Sequence, residues 1–92
     1  MAGRLKVWGG TGFHKGRQAR FVIAARTKRR VVELADGHTP GRFTAHTLNT
    51  YWSETGNAAE LELVRAGGGT EGVWVRGLDS RDDYERLHAE GE

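Results

Sequence analysis

The sequence predicts an α+β fold: a small antiparallel three-stranded sheet, built from a hairpin plus a later strand, packed with a helix-turn-helix-like helical pair and further short helices. Three observations carry this. Two stretches before residue 26, and a third at Glu71–Arg76, alternate side chains with the period of two that a strand imposes. Two intervening segments place apolar residues at helical spacing, and each is opened by a threonine suited to an N-cap. Glycines at 9, 10 and 12, at 37, and at 67 to 69 punctuate the pattern.

In chain order, Leu5–Trp8 has the β-branched and aromatic content of a short strand, which Gly9, Gly10, Thr11 and Gly12 are expected to stop. The second strand, Gln18–Ala25, puts Ala19, Phe21, Ile23 and Ala25 on one face and Arg20, Val22 and Ala24 on the other. The intervening GGTGFHKG is then the long tip of a hairpin, where glycine supplies positive φ. It is not a phosphate-cradling loop. Lys15 stands where GxGxxG needs its third glycine, and a strand follows instead of a helix. Beside the plain flexible loop stands a second alternative, in which His14, Lys15 and Arg17 form a mobile basic tip that touches a phosphate backbone or an acidic surface.

Thr27 caps a helix with Val31, Leu34 and Ala35 on one face, closed by Gly37 as the residue after the C-cap. Lys28, Arg29 and Arg30 occupy its first turn, where the helix dipole disfavours each exposed cation by about 0.3 to 1 kcal/mol. Either a bound phosphate or a carboxylate cluster, such as the acidic C-terminal segment, offsets that cost, or solvent screens it. After GHTPGRF, Thr44 caps a second helix with Ala45, Leu48 and Trp52 on one side and His46, Thr47, Asn49 and Thr50 on the other. The pair resembles a helix-turn-helix, whose second helix offers short polar side chains to the major groove. The linker Gly37–Phe43 is longer than that motif allows, and an αα-hairpin packed on a sheet explains the apolar spacing equally well.

YWSETGN ends the second helix, with Gly56 after its C-cap. Asn57 and Glu60 have the spacing of a helix cap for AAELELVRA, read as a short helix with Ala58, Leu61 and Val64 on its buried face, although Leu61, Leu63 and Arg65 also suit a strand. Gly67–Gly69 returns the chain to the sheet, where Val73 and Val75 face one way and Trp74 and Arg76 the other. This strand lies where a wing would, but Glu71 at its tip argues against a phosphate contact. The domain is expected over residues 1–78, and residues 79–92 as an acidic C-terminal helix or tail, with Tyr84 and Leu87 against the body. Such a tail either docks on the basic face or serves solubility.

Charge is split along the chain. Through Arg42 there are ten Lys and Arg against Glu33 and Asp36; from Phe43 onward four Arg face ten carboxylates. The two halves either present a basic face to an anionic partner or attract each other on folding. With no cysteine, a disulfide framework and a thiolate metal site are excluded. His14, His38, His46 and His88 lack metal-site spacing, and neither a nucleophile triad nor a cofactor fingerprint is present, so no catalysis, metal or cofactor is expected. Trp8, Trp52 and Trp74 are expected in the core. Met1–Lys6 lacks a signal-peptide core and no apolar run approaches the ~20 residues that span a bilayer, which points to the cytoplasm.

VWGGTGFHKGRQARFVIAA together with YWSETGN resembles a group of small, mostly uncharacterised proteins carried by phages of high-GC actinobacteria, over Leu5 to Val75. The longer GHTPGRF turn and the acidic tail depart from their pattern. The resemblance implies an accessory protein that acts on host or phage macromolecules in the host cytoplasm, and it supplies no catalytic residues. The leading expectation is nucleic-acid binding, to DNA, with Lys15, Arg17, Lys28, Arg29, Arg30 and Arg42 on phosphates and His46, Asn49 and Thr50 on bases. That requires the early cations to converge into one uncovered patch. The alternative is a protein-interaction module that binds and inhibits or redirects an acidic host protein, a defence component included, through the same cations or through the aromatics of WGG and YWSETGN.

Overall fold

Pairing follows from the alternation already visible around Phe21. In the computed structural model, which describes residues 5–39, 41–78 and 84–89, β1 (Lys6–His14) and β2 (Arg17–Ala25) run antiparallel in continuous register from Lys6↔Ala25 to His14↔Arg17. Outside β1 lies the two-residue β3 (Ser53–Glu54); on the far side of β2 lie β4 (Gly72–Gly77) and β5 (Glu85–Ala89). The fold is α+β, but the antiparallel sheet has five strands in the order β3-β1-β2-β4-β5, not three.

The added strands have separate causes. The chain leaving the second helix at Trp52 turns along β1, so that Ser53 and Glu54 pair with Gly9 and Trp8. The segment expected as an acidic helix is β5 from Glu85 to Ala89. A bulge opposite Val73 and Trp74 lets Leu87 join the core and brings His88 to Glu71, while Arg86 lies 4.7 Å over the Trp74 ring. Tyr84 and Leu87 do pack against the body. Residues 79–83 and 90–92 of that expected tail lie outside the described residues.

The glycines of WGGTG stand inside β1 and do not end it. Their lack of a side chain is what lets neighbours approach: a Cβ on Gly10 would sit 2.2 Å from the Trp52 indole, and one on Gly9 2.3 Å from the Arg20 guanidinium. The hairpin turn is only Lys15 and Gly16, both at positive φ (52° and 78°), the twist a two-residue loop needs.

Helix α1 (Lys28–His38) begins at Thr27, whose hydroxyl accepts from the Arg30 amide, and buries Val31, Leu34 and Ala35. It runs through Gly37. Its last carbonyls are met by Thr39, whose amide and hydroxyl both donate to the Ala35 carbonyl (3.0 and 2.7 Å). Helix α2 (Ala45–Tyr51) is capped by Thr44, buries Leu48 and ends at Trp52, not at Gly56; Ala45 is exposed. Helix α3 (Ala58–Ala66) starts at Asn57, which accepts from the Ala59 and Glu60 amides, and buries Glu60 and Val64 while Ala58 and Leu61 stay exposed.

The sheet separates two cores. On one face α1 and α2 cover Ala19, Phe21, Ile23, Ala25, Val73 and Val75, joined by Val31, Leu34, Leu48, Phe43 and Trp52. On the other, α3 covers Val22, Ala24 and Trp74 through Val64. No helix among the described residues is long and apolar enough to cross a membrane.

Candidate interaction surface

At the hairpin end, Trp52 folds back over Gly10, stacks with Phe21 at 6.0 Å and meets Phe43 edge-on at 5.1 Å. Phe43 is fixed by its own amide, which donates to the Asp36 carboxylate at 2.9 Å. Further along β1, a Cβ on Gly12 would sit 3.1 Å from the Phe21 ring and 3.3 Å from the Thr39 methyl, so its absence lets both close on the strand. The result is a pocket of about 200 Å³, floored by Gly12, Phe43 and Trp52, walled by Thr39 and Thr47, and rimmed by Thr11, Phe13, Arg42 and Tyr51. Tyr51 is 76% exposed and Phe13 47%. The Arg42 side chain makes no hydrogen bond or ion pair among the described residues, and neither do the side chains of Lys15 in the adjacent turn and Arg17 beside it.

The other cations sit at the opposite end of α1, about 16 Å away along an eleven-residue helix. Lys28 hydrogen-bonds Asn49 and lies 5.4 Å over the Trp8 ring; with Arg29, Val32, Glu33 and Ala45 it lines a shallow groove between α1 and α2. Arg29 has no partner among the described residues. His46 and Thr50, in contact at 3.5 Å, are exposed on α2. Arg30 is diverted, because its Nε and Nη2 both reach Glu71 at 2.9 to 3.1 Å. The cationic first turn is therefore compensated in part from within the chain, by Glu71; the C-terminal acids other than Glu85 lie outside the described residues. Lys28, Arg29, His46, Asn49 and Thr50 come together, whereas Lys15, Arg17 and Arg42 form a separate group. The expected cations thus do not make one patch.

The buried charges are tied up. Glu60, 3% exposed, accepts from Arg20 Nε and Nη2 (both 2.9 Å), the Thr55 hydroxyl (2.6 Å) and the Tyr84 hydroxyl (2.7 Å). The Arg20 hydrogen bonds, helped by Thr55 and Tyr84, outweigh burial and bring its pKa down to about 2. Glu71 is also lowered, first by Arg30 and then by His88, whose Nε2 is 3.1 Å away. His38 is lowered by burial and by the nearby His88 and His14. Every oxygen of Glu60 is thus committed to a structural partner, an arrangement that joins α3, β2 and the start of β5. Among the described residues no group of three or more His, Asp or Glu could hold a metal ion.

Tyr51 and Trp52 were legible as part of YWSETGN, but Thr11 and Phe13 carried no site signal because GGTGF reads locally as a loop, and Thr39 none because it stands in the turn GHTPGRF. Trp52 and Trp74 are core residues, and Trp8 is partly buried against the core. No protein-family model matches the chain, and no match was found among curated proteins or solved structures.

Proposed function

We propose that the protein is a protein-interaction module whose contact surface is the pocket between the rim of β1 and the end of α2. The observation that carries this is the pairing of two large exposed aromatics, Tyr51 and Phe13, with Arg42, whose side chain has no partner among the described residues, around an aromatic-floored cavity. Tyr and Arg next to a pocket are the residue types that dominate binding energy at protein interfaces. Lys15, Arg17 and Arg42 favour an acidic partner. In the accessory role implied by the resemblance to actinobacterial phage proteins, that partner is a host protein met in the cytoplasm, and the role is binding without catalysis.

Capture from a nuclease-treated actinobacterial lysate on the immobilised chain tests this. A stoichiometric protein partner is expected with the native chain and lost with Tyr51→Ala. Retention that nuclease abolishes and Tyr51→Ala leaves unchanged would overturn it.

A second reading is DNA binding at the other end. It is favoured by the Lys28–Asn49 contact, which joins the first turn of α1 to α2 and gathers Arg29, His46 and Thr50 beside it. Phosphate contacts weaken steeply with salt, so duplex DNA should bind at ~50 mM salt and release as salt rises. Arg29→Glu should abolish that binding, and no binding at low salt disposes of it.

A further inference from the structure

Resting on that reading, we infer that the partner docks by adding an extended, acidic segment as a strand along the open rim of β1, with one apolar side chain in the pocket.

The rim is open because β3 is short. It pairs only with Trp8 and Gly9, while β1 continues to His14. The Thr55 amide donates to the Val7 carbonyl, which fixes the phase: Val7 and the odd-numbered residues after it point their backbone groups away from β2. At the far end, the Leu78 amide donates to the Gln18 carbonyl, so the Gln18↔Phe13 pair likewise turns Phe13 outward. Thr11 and Phe13 therefore present their amides and carbonyls to the outside. Neither bonds to a loop or helix among the described residues, and both residues are exposed. Such a rim is a template for a further strand.

The occupant follows from what borders that rim. The pocket of about 200 Å³ opens beside Thr11 and Phe13 and has room for one apolar side chain between Tyr51 and Phe43. Arg42, Lys15 and Arg17 have no partner among the described residues, so the incoming segment carries carboxylates. A second copy of this chain is disfavoured, because the rim that would pair, from Lys6 to His14, carries no carboxylate to meet these three cations.

Selection of random dodecapeptides, displayed and panned on the immobilised full chain, tests the inference. The expected winners carry Asp or Glu and an apolar residue within an alternating, strand-like pattern. Thr11→Pro removes an outward amide without touching the β1:β2 ladder, and one lost backbone bond with its neighbours should weaken such peptides about tenfold. Thr11→Ala, which keeps the amide, should bind as the native chain does. Alternate N-methylation of a selected peptide should abolish binding. The inference is overturned if no peptide is enriched, if the winners are basic or spaced as helices, or if Thr11→Pro and N-methylation have no effect. A lysate partner lost with Tyr51→Ala but kept with Thr11→Pro would preserve the interaction module and remove only strand addition.

Discussion

The two faces of the sheet are held in different ways. Under α1 and α2 the contact is apolar and wide: Leu34, Leu48, Phe43 and Trp52 interlock with Phe21, Ile23 and Val75. Under α3 the buried apolar set is only Val22, Ala24, Val64 and Trp74, and a carboxylate stands at its edge with four donors around it. Apolar area can hold a helix without fixing its register, since it is non-directional. A satisfied ionic network cannot slide. The small face thus gains definition from Glu60 where the large one has shape from Trp52 and its glycine.

The largest effect expected from breaking this contrast is Glu60→Ala. Removing one member of a buried pair costs about 3 to 5 kcal/mol, and because Arg20 keeps 29% of its side chain in contact with solvent the lower end applies. Denaturant unfolding measures it; a loss below ~1 kcal/mol, no more than one ordinary hydrogen bond, would mean that α3 is held by Val64 and Trp74 alone. On the other face, Gly10→Ala forces a methyl into the Trp52 ring and should cost about 1 to 3 kcal/mol, with Trp52 fluorescence reporting the displacement. An unchanged midpoint there would show that the indole has room to move.

Acid sharpens the same contrast. The Glu60 pKa is depressed in the folded state, so its contribution is complete above the unfolded value near 4.5 and is lost as pH falls toward about 2. Glu71 acts in the same direction. Unfolding free energies followed down through that window should decline, and the decline should flatten in Glu60→Gln. The smallest effect is expected at Tyr51→Ala: with 76% of the residue exposed, stability should stay within about 0.5 kcal/mol, so any loss of partner binding is a direct contact effect.

Much of the fold was legible locally. The alternation of Ala19, Phe21, Ile23 and Ala25 set the central strand and its two faces, and Thr27, Thr44 and Asn57 marked three helix starts. What failed depended on distant partners. Gly9, Gly10 and Gly12 have the composition of a loop but stand in a strand where Arg20, Trp52 and the pair Phe21 and Thr39, respectively, occupy the space a side chain would take. Gly37 has no crowding of its own and yields to Thr39 as the helix stop. β5 carries a bulge that breaks the alternation a reader of sequence relies on. At the candidate site the cations were visible as residues, but their division between two ends of α1 was not, since charge counts hold no geometry.

The bulge in β5 has a consequence for assembly. That outermost strand is kinked and carries Glu85, Arg86 and His88, features that discourage a neighbouring chain from stacking onto it. The sheet is thereby hospitable on one side and forbidding on the other, so growth along it should halt at a single addition, giving a one-to-one complex instead of a polymer.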